Sequence, residues 1–134
     1  MTRFVIDPPT LVLLAEDDRP IDAGHQLVAP NSIRSQALDL LLQAVRAGEL
    51  TELAALALHE RMTEMKIRVL GDRVSRRTAW RTAREHDWPT IRDAEYVAIA
   101  KLQADALIAT DPELAAKASG LVPLARVSEL FPRP

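Results

Sequence analysis

Arg3-Phe4-Val5-Ile6-Asp7-Pro8-Pro9 decides the reading: a β-branched and aromatic run, an acid directly behind it, and two prolines that end the ladder. It predicts a short buried strand that delivers Asp7 to its C-terminal edge. The pattern returns near the other end, where Ala106-Leu107-Ile108-Ala109 reads as a short strand closed by Thr110-Asp111. Pro112 then opens a brief helix through Lys117. Ile67-Arg68-Val69-Leu70 reads as a further strand, and Val122-Pro123-Leu124 as a last edge strand.

The segments between these strands carry helical signals. Thr10 to Ala15 is mostly apolar and predicts a short helix, followed by a polar loop from Glu16 to Gly24. Pro30-Asn31-Ser32 supplies a helix start, after which Ile33, Ala37, Leu38, Leu41, Leu42 and Val45 recur at three- and four-residue intervals until Gly48. Thr51 caps another helix through Leu53, Leu56, Ala57 and Glu60. The Arg-rich piece from Asp72 to His86 is a fourth helix, and Pro89-Thr90 precedes a fifth over Arg92–Gln103, with Ala94, Val97, Ala98, the Lys101 stem and Leu102 turned inward. Strands separated by helices, with acids just after strands, describe a single α/β domain over residues 1–134. Its central sheet is mainly parallel and flanked by helices, and its ligands bind outside the carboxyl ends of the strands.

Composition narrows the chemistry. With 134 residues, 48% of them hydrophobic and 27% charged, the chain supports one core and has no room for a second full domain. No apolar stretch approaches the ~20 residues of a membrane span, and no basic-then-apolar leader opens the chain, so the expectation is a cytoplasmic protein without a membrane partner. Zero cysteines exclude disulfides, cysteine-ligated zinc, iron–sulfur clusters and thiolate nucleophiles. His25, His59 and His86 show no metal-ligand spacing, so any metal sits on oxygen, which favours magnesium or manganese. The net charge is −2, from 17 basic and 19 acidic residues, but it is unevenly spread. Residues 60–92 hold nine Arg or Lys against five acids and are therefore +4, which leaves −6 for the remainder. A basic surface beside an acidic pocket suits a metal enzyme acting on a phosphodiester.

Asp7 and Asp111 follow strands, and Asp93 lies in the first turn of a helix. Strand-end carboxylates of a parallel sheet converge on one edge, where like charges repel unless a cation neutralises them. Asp93 and Asp111 also make sense as helix-start residues favoured by the macrodipole. A further acidic run, Glu16-Asp17-Asp18, resembles the acidic pair of response-regulator receiver domains. The stretch where a receiver needs its phosphoacceptor aspartate is Leu53 to Leu58, Leu-Ala-Ala-Leu-Ala-Leu, so that reading is set aside for a solvated loop.

Val5-Ile6-Asp7, Ala29-Pro30 with Ile33-Arg34-Ser35-Gln36, Asp93-Ala94-Glu95-Tyr96-Val97-Ala98-Ile99-Ala100, and Leu107-Ile108-Ala109-Thr110-Asp111-Pro112 together resemble a PIN domain of the VapC toxin type, over nearly the whole chain. The most specific piece is the Asp93 helix, with the strand-Thr-Asp element behind it. The resemblance implies a Mg2+- or Mn2+-dependent endoribonuclease of a toxin–antitoxin pair, a homodimer inhibited by a small antitoxin protein. Asp7, Asp93 and Asp111 match the family's first, third and fourth acids as catalytic and metal-holding residues, with Thr110 in support.

Two positions depart from that pattern. Where the family has a glutamate in an R-x-E element, this chain has Arg34-Ser35-Gln36, and Gln36 offers an oxygen but neither charge nor base. Asp39, one turn further along, is the nearest carboxylate that could stand in. Pro9 occupies a place where a hydroxyl and a backbone N–H are expected near the metal, and Thr10 supplies a hydroxyl only if the loop register shifts. These departures leave open an alternative, a degenerate PIN-like module that binds RNA or a partner protein without cleaving. On the Arg-rich helix, Arg73, Arg77, Arg81 and Arg84 beside Trp80 suit phosphate tracking with base stacking. The same helix also reads as a solvated face whose arginines pair with Asp72 and Glu85, with Trp80 in a core or dimer interface. Trp88 and Tyr96 read as packing residues.

Overall fold

The computed structural model describes residues 1–133. Strand β1 (Thr2–Ile6) leads through α1 (Pro8–Glu16) to β2 (His25–Pro30). Helices α2 (Ile33–Arg46) and α3 (Glu52–Glu64) connect β2 to β3 (Arg68–Leu70). Helices α4 (Arg73–His86) and α5 (Arg92–Gln103) lead on to β4 (Ala106–Ile108), followed by α6 (Pro112–Ala118) and a 3-10 turn at Val127–Leu130. The sheet order is β3-β2-β1-β4 and every pairing is parallel, so the expected α/β class with a parallel sheet is what the chain adopts.

β1 is central because both of its edges are taken: Phe4 pairs with Leu27 on one side and with Ala106 on the other. The connections run outward from β1 to β2 and β3, then return to its other side at β4. Right-handed crossovers put α1, α2 and α3 on one face of the sheet and α4 and α5 on the other. The contacts agree: α1, α2 and α3 pack on one another, α4 packs on α5, and α5 packs on β1, β2 and β4. The connection reverses direction between β1 and β4, and a crevice opens there at the strands' carboxyl ends.

Several elements differ from the sequence reading. Helix α1 begins at Pro8, with Asp7 as its N-cap and the two prolines at its first two positions, where a missing N–H costs nothing. β2 was not expected. Its Leu27-Val28-Ala29 core is buried on both faces and so shows no alternation. Val122-Pro123-Leu124 forms only an isolated parallel bridge from Leu124 to Leu107. Helix α5 buries Tyr96 through Ala100 without a break because the sheet covers one side and α4 the other, while Lys101 and Leu102 are exposed. Ala79 and Ala83 of α4 meet Ala94 and Ala98 of α5, and small side chains at this seam let the two helices approach closely.

Candidate functional site

A cavity of about 680 Å³ lies where Asp7 ends β1, Asp111 follows β4 and Asp93 opens α5. Its wall also includes Gln36 and Asp39 of α2, Arg92 and Tyr96 of α5, and Thr110. Three acids separated by most of the chain thus share one wall. The supporting residues Gln36 and Thr110 stand beside them.

Asp7 is fully buried and hydrogen-bonded at both oxygens. Oδ1 accepts from the Thr10 backbone N–H at 3.1 Å and from the Thr10 hydroxyl, and Oδ2 accepts from the Asp111 N–H at 2.9 Å. A buried carboxylate requires such donors. Asp7 therefore starts α1 and at the same time fastens the β4–α6 turn to the end of β1. Thr10 falls at the third helical position because the two prolines fill the first two, so its hydroxyl reaches the site without any shift in register. Pro9 consequently does not strip the site of a hydroxyl. With the Thr10 hydroxyl donating to Asp7, Thr110 Oγ1 is left to donate to Thr10 Oγ1 at 2.7 Å.

Gln36 is positioned from both ends. Its amide nitrogen donates to Ser32 Oγ at 3.2 Å, and its oxygen accepts from the Tyr96 hydroxyl at 2.7 Å. Ser32 stands at the N-cap of α2, but its hydroxyl oxygen accepts from Gln36 and caps no backbone group. Tyr96 is buried packing, as expected, but its hydroxyl end belongs to the site. Burial pushes the Tyr96 phenol up, and the charges of Asp7, Glu95 and Asp93 push it further, so it remains a neutral donor.

Asp93 and Asp111 are the more open pair. Asp93 Oδ2 accepts from Lys117 Nζ at 2.9 Å, and the same ammonium lies 3.2 Å from Glu113 Oε1. Asp93 holds the Lys117 ammonium above its ordinary range, with Glu113 adding to the effect. Asp111 Oδ1 accepts from the Glu113 N–H at 3.1 Å, which caps α6. Asp93 Oδ1 and Asp111 Oδ2 accept no protein hydrogen bond among the described residues. Lys117, Arg92 and the Tyr96 hydroxyl escape sequence reasoning as site residues. Only the Glu113–Lys117 spacing of four hints that the lysine has a fixed partner.

Among the described residues no three His, Asp or Glu side chains form a ready metal-ligand group. The cavity instead presents Asp93 and Asp111, each with one oxygen that accepts no protein hydrogen bond, the exposed Asp39 of α2, and the buried Asp7, whose Oδ2 accepts only the Asp111 N–H and keeps a lone pair. Magnesium is commonly held by one or two carboxylates completed by water, so this donor set fits a hard divalent ion. With no sulfur and no imidazole on the wall, it does not suit a soft one.

The Arg-rich helix is solvated on one side. Arg73, Arg76, Arg77, Arg81 and Arg84 are exposed and form no salt bridge among the described residues, and Trp80 is 63% exposed. Asp72 accepts from the Ser75 N–H as the α4 cap rather than pairing with an arginine. Trp80 is thus not a core residue. Another cavity, about 610 Å³, opens near Met1, His25 and Arg68 at the opposite ends of the strands. Its acids are already engaged, Asp17 with Arg19 and Asp22 with the Gly24 N–H, so it lacks open converging groups.

No model of a known protein family matches the chain, and no curated protein matches it. Among solved structures, it is similar to PAE2754 from Pyrobaculum aerophilum, known from a crystal structure. The two are 26% identical with a TM-score of 0.73, over 96% of this chain and 92% of the other. The likeness extends over nearly the whole of both chains.

Proposed function

We propose that the chain is a divalent-metal-dependent endoribonuclease, as its resemblance to VapC-type PIN domains implies. The observation that carries this reading is the meeting of Asp7, Asp93 and Asp111 on one cavity wall at the carboxyl ends of a parallel sheet. Asp93 and Asp111 would hold the metal through their open oxygens, while Asp7 fixes the Asp111 backbone and adds its negative charge to the same wall. A bound Mg2+ or Mn2+ ion supplies an activated water and neutralises charge on a phosphodiester. Arg92 draws a phosphate to the cavity mouth, and Gln36, held by Tyr96 and Ser32, offers a neutral polar edge where the family pattern has a glutamate, with Asp39 one turn further along α2 on the same wall.

RNA approaches along α4, where Arg73, Arg77, Arg81 and Arg84 track phosphates and Trp80 offers a stacking surface. In this reading the protein works in the cytoplasm as a homodimer restrained by a small antitoxin. The exposed Leu13 of α1 and Leu38, Leu40 and Leu42 of α2 are apolar surface that a partner protein would cover. No helix among the described residues is long and apolar enough to cross a membrane.

The test is cleavage of a structured RNA pool by purified protein with EDTA, Mg2+ or Mn2+, run beside Asp93→Asn. Metal-dependent cleavage that disappears in the variant is the expected result. Cleavage that survives in Asp93→Asn overturns the assignment, and no cleavage with any metal leaves the chain as a non-cutting PIN-like module.

A further inference from the structure

Helix α6 carries two opposite contributions to the cavity. Asp111 at its start supplies a carboxylate to the wall, and Lys117 further along supplies the cation that pairs with the other open carboxylate, Asp93. The lysine is not part of the cavity wall, yet its Nζ reaches Asp93 Oδ2 at 2.9 Å with only 20% of its side chain exposed. It also has a second acceptor: Glu113, on its own helix one turn back, stands 3.2 Å away with 73% exposure. Trp88 lies 5.6 Å from the same ammonium and gives it an aromatic neighbour outside the cavity. A cation with one acceptor at the cavity and another in solvent has somewhere to go when a stronger cation arrives.

We propose that Lys117 is a tethered counter-charge that competes with divalent ions for Asp93 and so sets the metal affinity of the cavity, an inference that rests on the metal-site reading above. A divalent ion drawn to Asp93 meets a carboxylate already neutralised by an ammonium. The ion must share or displace that partner, and Glu113 receives the lysine when it leaves. Without the lysine the cavity is more negative by one charge at Asp93. An ion pair of this exposure is worth up to about 1 kcal/mol, which corresponds to about a fivefold change in affinity.

The experiment is calorimetric titration of MnCl2 into the full chain as wild type, Lys117→Met, Lys117→Gln, Glu113→Gln and Asp93→Asn, each checked for folding by circular dichroism. Lys117→Met is expected to bind Mn2+ about fivefold more tightly than wild type. Lys117→Gln keeps a polar contact without the charge and gives the same result should the methionine variant fail to fold. Glu113→Gln, which removes the lysine's other acceptor, shifts affinity the opposite way. Wild-type binding that is lost in Asp93→Asn but unchanged or weaker in the Lys117 variants overturns the counter-charge while the metal site stands. Absence of Asp93-dependent binding in wild type and Lys117 variants alike overturns the metal site itself, and the counter-charge with it.

Discussion

At the scale of single residues, Asp7 shows that a site acid can be a structural acid first. Each of its oxygens faces a donor, Thr10 on one side and the Asp111 N–H on the other. An asparagine there has only one acceptor, so its NH2 group must face one of those donors. Asp7→Asn is expected to destabilise the fold by about 1–3 kcal/mol in urea unfolding, a cost that Asp93→Asn on the open side of the cavity does not share. The three aspartates were legible in the sequence because an acid behind an apolar run, or opening a helix, has a fixed place in an α/β sheet. Thr10 was obscured by the prolines before it. Lys117 and the Tyr96 hydroxyl were not legible because their partners, Asp93 and Gln36, lie 24 and 60 residues away in the chain.

At the scale of elements, α4 is the clearest case of a helix fixed at its start. Asp72 accepts from the Ser75 N–H, and that bond holds its carboxyl below the usual carboxylate range. A depressed value in the folded state means the cap contributes above the unfolded group's ordinary value and is lost as pH falls through the lower, folded one. Acidification toward pH 3 is therefore expected to lower the protection of the first-turn amides of α4 relative to their intrinsic exchange rates at the same pH, and Asp72→Ala removes that acid sensitivity while lowering the melting temperature at neutral pH. While the caps and the buried Ala79, Thr82 and Ala83 of α4 came from the structure, the sequence showed the helix as an Arg-rich run between Gly71 and Pro89. It hid β2, since three apolar residues ahead of a proline resemble the approach to a helix. Only pairing with β1 and β3 makes Leu27-Val28-Ala29 a strand.

At the scale of the whole molecule, the sheet depends on pairing between chain ends. Leu107 is fully buried in β4, pairs with Val5 of β1, and exchanges backbone hydrogen bonds with Pro123 and Ala125 at 2.9 Å each. Leu107→Ala is expected to cost about 2–5 kcal/mol in urea unfolding and to weaken Mn2+ binding as well, because β4 positions the Asp111 turn against Asp7. The parallel α/β class was legible because strands alternating with helices permit little else, whereas strand order was not, since it is settled by packing between distant segments. Residue 4 pairs with residue 106, so β1 waits in translation for the much later β4 before its second edge is filled. A nascent chain that has not yet exposed the β4–α6 turn therefore holds Asp7 without the Asp111 N–H that completes its partners. The cavity comes into being only once the Asp111 turn has been made, so a chain grown no further than α5 carries Asp7 and Asp93 without the third acid that joins them.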